Sequence, residues 1–151
     1  MRHFLIAGNW KMNKTATEAV GLVEQFASLA PKTTHVEVVM APPFTSLAAV
    51  SQTLGSLKSP VSLGAQNVFW EDRGAFTGEI SAPMLRDLGC RYVIVGHSER
   101  RHLLGETDEA VNKKVHALLR HGLKPIVCVG ETKTERQAGR TEAVVTRQLT
   151  E

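Results

Sequence analysis

Short apolar segments alternate along the chain with longer segments that have apolar residues at helical spacing. Five segments are rich in apolar or β-branched residues, as buried strands are: FLIAGN at 4–9, VEVVMA at 36–41, VSLGAQ at 61–66, YVIVGH at 92–97 and PIVCVG at 125–130. Because such strands are buried on both faces, their alternation with helices predicts a parallel sheet that helices cover.

Helix ends are also marked in the sequence. Thr15 and Glu18 have the spacing of a capping box at the start of a first helix. Ser81 precedes a proline in the first turn of a later helix, which Gly89 ends. Residues 141–149 have a helical pattern without a stop signal, so we expect the sequence to end inside an element.

Two folds fit this alternation, an open doubly wound sheet and a (β/α)8 barrel. The glycine-rich fingerprint of a dinucleotide fold is missing after the first strand, where GNWK stands at 8–11. Polar residues follow the strand ends, where a barrel has its active site: Asn9, Lys11, Gln66, Asn67, His97 to Arg101 and Glu131. Eight units need about 250 residues. We therefore expect one domain, 1–151, that is a TIM barrel truncated to about its first five βα units.

Composition and charge fit a soluble globular protein that acts on small anions. The chain has 18 Lys and Arg against 15 Asp and Glu, and its basic residues are scattered, which makes nucleic-acid binding a weak hypothesis. No apolar stretch has the length of a membrane span or a signal peptide, so we expect no membrane partner and a cytoplasmic location. Cys90 and Cys128 are isolated, which predicts free thiols and no metal site.

The segment VIVGHSERR at 93–101 raises the hypothesis of a serine hydrolase. Gly96 and Ser98 begin the G-x-S-x-G elbow that presents a nucleophilic serine. Arg100 occupies the place of the second glycine, and the later histidines are too near in sequence or lie on a predicted helix. A hydrolase is therefore the lesser alternative, and Ser98 is expected to start a helix.

Six motifs, in order, together resemble the triosephosphate isomerase family along the whole chain: GNWKMN at 8–13, APPF at 41–44, LGAQNV at 63–68, GAFTGE at 74–79, VIVGHSERR at 93–101 and CVGET at 128–132. The resemblance implies a (β/α)8 barrel that interconverts dihydroxyacetone phosphate and glyceraldehyde 3-phosphate through an enediolate, in glycolysis and gluconeogenesis. It also implies a homodimer in the cytosol that needs no cofactor.

This chemistry requires a base, an electrophile and positive charge. The resemblance assigns the electrophile to His97, substrate binding and charge stabilisation to Lys11, and a substrate contact to Asn9. Glu99 is expected to support the site by pairing with Lys11. The resemblance also implies that His97 is neutral, as its counterpart in the family is, and helix N–H dipoles next to it would disfavour the imidazolium.

The loop at 74–79 has a glycine at its start and another next to its end, and it lies in a long connection. The resemblance implies that it inserts into a partner subunit, where Thr77 reaches toward the asparagine and the histidine of the site. We expect Arg100 to form an ion pair, with Glu79 as the candidate partner.

The sequence after CVGET contains no match to the family's catalytic glutamate, its lid or its phosphate-binding loops. General base catalysis contributes typically 10² to 10⁴ in rate, or about 3 to 5 kcal/mol. We therefore predict little or no isomerase activity for this chain alone. An alternative is a non-catalytic half-barrel module that binds a partner or self-assembles, because the edges of its first and fifth strands would be unpaired.

Overall fold

The computed structural model of the protein describes residues 4–30 and 35–150. The predicted domain, 1–151, includes residues outside these ranges and stays a prediction. Within them, strands and helices follow one another in this order: β1 Phe4–Asn9, α1 Ala16–Leu29, β2 Val36–Ala41, α2 Phe44–Ser56, β3 Ser62–Ala65, α3 Ala82–Asp87, β4 Tyr92–Val95, α4 Ser98–Leu103, α5 Asp108–Arg120, β5 Lys124–Val127, α6 Lys133–Gln137 and α7 Thr141–Thr150. All five predicted strands are present, with β3, β4 and β5 shorter than predicted.

The strands form one parallel sheet in the order β1-β2-β3-β4-β5. Each strand therefore lies beside the next one in sequence, with Asn9 opposite Ala41 and Val95 opposite Val127. A doubly wound sheet would reverse its strand order at a switch point. The sequential order instead matches the first five units of a (β/α)8 barrel, which confirms the predicted fold class.

The predicted helix starts and stops are confirmed. Thr15 and Glu18 form both bonds of the capping box, with the Thr15 N–H donating to Glu18 Oε2 at 2.8 Å. The Ser81 hydroxyl accepts the N–H of Met84 at the start of α3. Gly89 has a φ of +78°, the left-handed conformation that glycine adopts most easily after a helix.

Two helices were not predicted, although one of them has a clear pattern. In α2, Leu47, Val50 and Leu54 are buried at helical spacing after Pro43 at the N-cap position. Helix α6 has only five residues and begins at a second capping box, formed by Thr132 and Glu135. Its shortness leaves no periodic pattern to detect.

The core lies between the sheet and the helices, and the central strands β3 and β4 are buried along their whole length. The expectation that every strand is buried on both faces is wrong for β1 and β5. In β1, Phe4, Leu5 and Ile6 are 63%, 40% and 59% exposed. Within the described residues, β1 pairs only with β2 and β5 only with β4, so each has one uncovered edge.

Candidate active site

The predicted site residues lie at the carboxyl ends of β1 and β4. Asn9 is the last residue of β1, and Lys11 stands two positions later. His97 and Glu99 stand two and four positions after Val95, the last residue of β4. Parallel strands place these ends on the same edge of the sheet. The Lys11 ammonium lies 2.6 Å from Glu99 Oε1, across 88 positions of sequence, which confirms the predicted pair.

Lys11 has an unusual backbone conformation, with a φ of +54°. For a residue other than glycine such a conformation costs of order 1–3 kcal/mol and is found mostly at functional sites. Two hydrogen bonds hold it: Asn9 Oδ1 accepts the Lys11 N–H at 2.9 Å, and Gln66 Nε2 donates to the Lys11 carbonyl at 2.9 Å. Gln66 Nε2 also donates to the Ala41 carbonyl at 2.8 Å. The ends of three neighbouring strands therefore hold the Lys11 backbone in place.

The role of Gln66 was not predicted, although its position after β3 was noted. A glutamine at a strand end has no local signature that names its partners, which here lie 55 and 25 positions away. Asn9 uses its carbonyl oxygen to hold the loop. Its side-chain NH₂ group donates no hydrogen bond among residues 4–30 and 35–150, so it is available to a ligand.

His97 is the N-cap of α4, and its ring has a defined orientation. Nδ1 accepts the backbone N–H of Glu99 at 3.3 Å. In the neutral ring, the proton therefore resides on Nε2, which can donate a hydrogen bond. Nδ1 also lies 3.4 Å from Glu99 Oε2, but the same carboxylate is bound by the closer Lys11 ammonium.

The pair of Lys11 and Glu99 is charged and reaches solvent. The hydrogen bond from Lys11 is the main cause that holds the pKa of Glu99 below its ordinary value. The two side chains are 52% and 45% exposed. An anion that enters the site can therefore compete with Glu99 for the ammonium without a large desolvation penalty.

A buried network supports the loop that carries His97. Glu106, at the end of the α4 to α5 connection, accepts the backbone N–H of Gly96 at 3.2 Å and the Nε–H of Arg100 at 3.0 Å. It also pairs with the Lys114 ammonium, which donates to Asn67 Oδ1 at 2.8 Å. The loops after β3 and β4 are thereby tied to α5.

The ionised state of Glu106 depends on these partners. Burial would raise the pKa of its carboxyl group, but the hydrogen bonds and charges of Lys114 and Arg100 outweigh burial, and the pKa lies below its ordinary value. Arg100 forms its ion pair with Glu106. The prediction that its partner is Glu79 is therefore wrong. Glu106 stands six positions after Arg100, and ion pairs within a helix are spaced three or four positions apart. The spacing of charged residues in the sequence therefore does not indicate this pair.

Arg101 fixes the other side of the same loop. Its buried guanidinium donates to the carbonyls of Gly96 and Cys128 at 2.7 and 3.3 Å and pairs with Asp108. Gly96 has a φ of +69°, and a Cβ there would lie 2.9 Å from Arg101 and 3.1 Å from the Cys128 carbonyl. A side chain at position 96 would therefore be strained and crowded, so packing requires glycine in this turn.

Other candidate residues are not brought into the site. Thr77 lies in an exposed loop, and its predicted role concerns a second subunit, so it stays a prediction. Ser98 is the first residue of α4, as expected, and no hydrogen bond joins its hydroxyl to a histidine side chain within the described residues. Glu131 is bound by Arg136 at 2.6 Å and by Thr141 at 3.1 Å.

In the described ranges, no three His, Cys, Asp or Glu side chains are grouped as metal ligands would be. None of the helices there has the length and apolar character to cross a membrane.

Comparison with known proteins points to one family. Residues 4–151 match the family model described as triosephosphate isomerase. The chain is similar to the triosephosphate isomerases of Moorella thermoacetica (58% identity over 151 residues), Chloroflexus aurantiacus (55% over 149) and Dictyoglomus thermophilum (50% over 151). These matches cover 99–100% of the chain and 59–60% of each relative. The chain thus spans about three fifths of the length of these relatives.

Proposed function

The chain belongs to the triosephosphate isomerase family, and from this premise we propose that its site takes part in the interconversion of dihydroxyacetone phosphate and glyceraldehyde 3-phosphate. The proposal rests on the contact of the Lys11 ammonium with Glu99, in the loop that carries His97. This contact places a cation and a ring N–H donor at the same edge of the sheet. Such a pair suits a substrate that is anionic and has a carbonyl group.

In this proposal His97 acts as the electrophile. A base removes a proton from the carbon next to the carbonyl group, and the bonding electrons move to the carbonyl oxygen as the enediolate forms. Nε2–H of His97 donates a hydrogen bond to that oxygen, where negative charge develops. The hydroxyl proton on the first carbon then passes to the former carbonyl oxygen, and the base returns its proton to the second carbon. The carbonyl group now stands on the first carbon, without gain or loss of atoms.

Lys11, Asn9 and Glu99 bind and position the substrate in this scheme. The Lys11 ammonium attracts the phosphate group and stabilises the negative enediolate, and the free amide of Asn9 donates to the substrate oxygen. Glu99 keeps the Lys11 side chain in place before the substrate arrives. The fixed backbone of Lys11 supports this assignment because it removes the loop entropy that binding would otherwise have to overcome.

Binding can be tested by NMR titration of the 151-residue chain with dihydroxyacetone phosphate. We expect shifts of the His97 ring resonances, and we expect Lys11→Met to abolish them. Lys14→Met is the matched control, because it removes the same charge three positions away, where no ion pair is formed among the described residues. Equal effects of the two substitutions would reject the role of Lys11.

We further propose that the polypeptide of residues 1–151 has little isomerase activity by itself. The carboxylates of Glu99 and Glu131 are bound to Lys11 and Arg136, so neither is placed as a free base. The lack of a base would reduce the rate by about 10² to 10⁴. A coupled assay of the purified polypeptide checks this, and turnover typical of an efficient enzyme would contradict it.

The family also suggests a homodimer in the cytoplasm, with Thr77 at the site of the partner subunit. A second function, that of a non-catalytic assembly module, is favoured by the exposed apolar residues of β1. Sedimentation of Thr77→Arg separates the two. A dimer formed through the Thr77 loop would dissociate, whereas an assembly formed through the β1 edge would persist.

A further inference from the structure

The side chain of Arg101 is buried beside the loop that carries His97 and makes more contacts than charge compensation requires. It is 8% exposed and pairs with Asp108, which neutralises its charge. Its other donors bind uncharged acceptors: Nε donates to the Gly96 carbonyl at 2.7 Å, and Nη2 donates to the Cys128 carbonyl at 3.3 Å. One planar group therefore joins the residues that directly follow β4 and β5.

The Gly96 carbonyl matters for His97 because the two residues share one rigid unit. The carbonyl group of Gly96 and the backbone nitrogen of His97 lie in the same planar peptide group. A hydrogen bond that fixes this oxygen limits rotation of the plane, and with it the direction in which the Cβ of His97 leaves the backbone. The preceding peptide group is held as well, since Glu106 Oε2 accepts the Gly96 N–H at 3.2 Å.

The ring of His97 depends on this direction for its hydrogen bond to Glu99. Nδ1 accepts the Glu99 N–H at 3.3 Å, a long hydrogen bond that tolerates little displacement. If the Gly96–His97 peptide group rotated, Nδ1 would lose this donor, and the neutral form that is protonated on Nδ1 would become accessible. The presence of the proton on Nε2 therefore depends on the orientation of that peptide group.

A contribution to stability alone would be the ordinary explanation of a buried arginine paired with an acid. It accounts for the contact with Asp108, which needs at most two of the five N–H donors of the guanidinium group. It does not account for the two carbonyls, which only a planar fork holds together with the carboxylate. Gly96 makes room for this fork, because a Cβ there would lie 2.9 Å from Nη2 of Arg101.

We propose that Arg101 is a positioning residue that orients the His97 ring through the Gly96 carbonyl. The inference rests on the proposed function, because it concerns the direction in which the electrophile donates its Nε2–H to the substrate oxygen. Arg101 acts through the backbone and is not itself a substrate contact. Asp108 holds the guanidinium group in turn, and its Oδ2 accepts the Nε–H of Arg147, in α7, at 3.1 Å.

NMR of the ring nitrogens of His97 tests this in the ligand-free 151-residue chain at about pH 8, where an ordinary imidazole is neutral. In the unchanged chain we expect Nδ1 to have no proton. Arg101→Lys keeps the charge opposite Asp108 but loses the planar fork, so a form protonated on Nδ1 should appear. Asp108→Asn keeps Arg101 and weakens its anchor. It should give the same change to a smaller extent, and it decides the test if Arg101→Lys does not fold.

Two control variants separate ring orientation from a general loss of stability. Arg136→Lys is the same substitution at an arginine that pairs with Glu131, on the connection after β5. Leu85→Ala removes a fully buried side chain from α3 and destabilises the core. Neither variant should change the protonation of Nδ1.

An unchanged His97 ring in Arg101→Lys, or in Asp108→Asn where Arg101→Lys does not fold, would overturn the proposal. The same ring change in Leu85→Ala would also overturn it, because the effect would then follow from lost stability. The ring measurement needs no substrate. A failure of the unchanged chain to bind dihydroxyacetone phosphate would therefore reject the proposed function and not the positioning of the ring by Arg101.

Discussion

Two lysine–glutamate pairs lie on either side of the His97 loop and differ mainly in their exposure to water. Lys11 and Glu99 are about half exposed, whereas the side chains of Lys114 and Glu106 are 5% and 4% exposed. The exposed pair can exchange its partner for an anion at little cost. The buried pair cannot, because removing one member leaves the other charge buried with less compensation. The difference in burial thus separates a group that can bind from a group that holds the loop in position.

Removal of the buried ammonium should have the largest effect. Lys114→Met leaves Glu106 buried with Arg100 as its remaining ionic partner, and we expect a loss of about 3–5 kcal/mol in the free energy of unfolding. Urea denaturation followed by circular dichroism measures it. Lys113→Met is the matched control, because Lys113 forms an exposed pair with Glu109 in the same helix and should cost less than about 0.5 kcal/mol. Similar losses for both variants would show that burial does not separate the two kinds of pair.

Loss of the amide that holds Lys11 should have an intermediate effect. Gln66→Ala removes two hydrogen bonds and leaves the strained Lys11 backbone less supported, so we expect a loss of about 1–2 kcal/mol. Gln52→Ala, at an exposed position of α2, is the control and should stay within about 0.5 kcal/mol. An unchanged free energy of unfolding in Gln66→Ala would show that Lys11 keeps its conformation without this residue.

The exposed pair should contribute little to stability. Lys11→Met is expected to change the free energy of unfolding by less than about 1 kcal/mol, although the same substitution should abolish ligand binding. Denaturation and titration of one preparation give both values. A large loss of stability together with the loss of binding would mean that the pair is structural as well, and the contrast with Lys114 would fail.

The two pairs should also differ in how steeply the free energy of unfolding falls as the pH is lowered. The pKa of Glu106 is depressed in the folded state, so its contribution to stability is present above the ordinary glutamate pKa of about 4.3 and is lost as pH falls through that value toward the folded-state pKa. In Lys114→Met the depression shrinks, so stability should fall less steeply in this window. Lys11→Met should alter the slope less, because Glu99 is exposed. Unfolding curves at several pH values between neutrality and the acid transition check this.

The features that follow from local patterns were predictable. The apolar segments located all five strands, and Thr15 with Glu18 marked the start of α1. The pair of Lys11 and Glu99 was predicted through the family resemblance rather than through spacing, since 88 positions separate them. Glu106 and Gln66 were missed because their partners lie on different elements, which a single sequence does not relate to one another.

The wrong expectations have a physical cause as well. The apolar pattern of β1 predicts burial on both faces, but such a pattern shows only which side chains favour burial. It does not show which neighbouring elements are present to cover them. Phe4 and Ile6 are apolar and exposed for this reason. Similarly, the charge of Glu79 makes it a possible partner for Arg100. The connection after α4 instead brings Glu106 to Arg100, and a single sequence does not show this.

The sequential order of the strands also bears on how the chain folds during synthesis. Each strand pairs with the one made just before it, so a ribosome would release every new strand next to an edge that is already formed. No strand has to wait for a distant segment, and the loop that must close for each new pairing is only one helical crossover long. The growing sheet can therefore be extended by one unit at a time from the amino terminus, and the contact of Lys11 with Glu99 becomes available only when the fourth strand has been added.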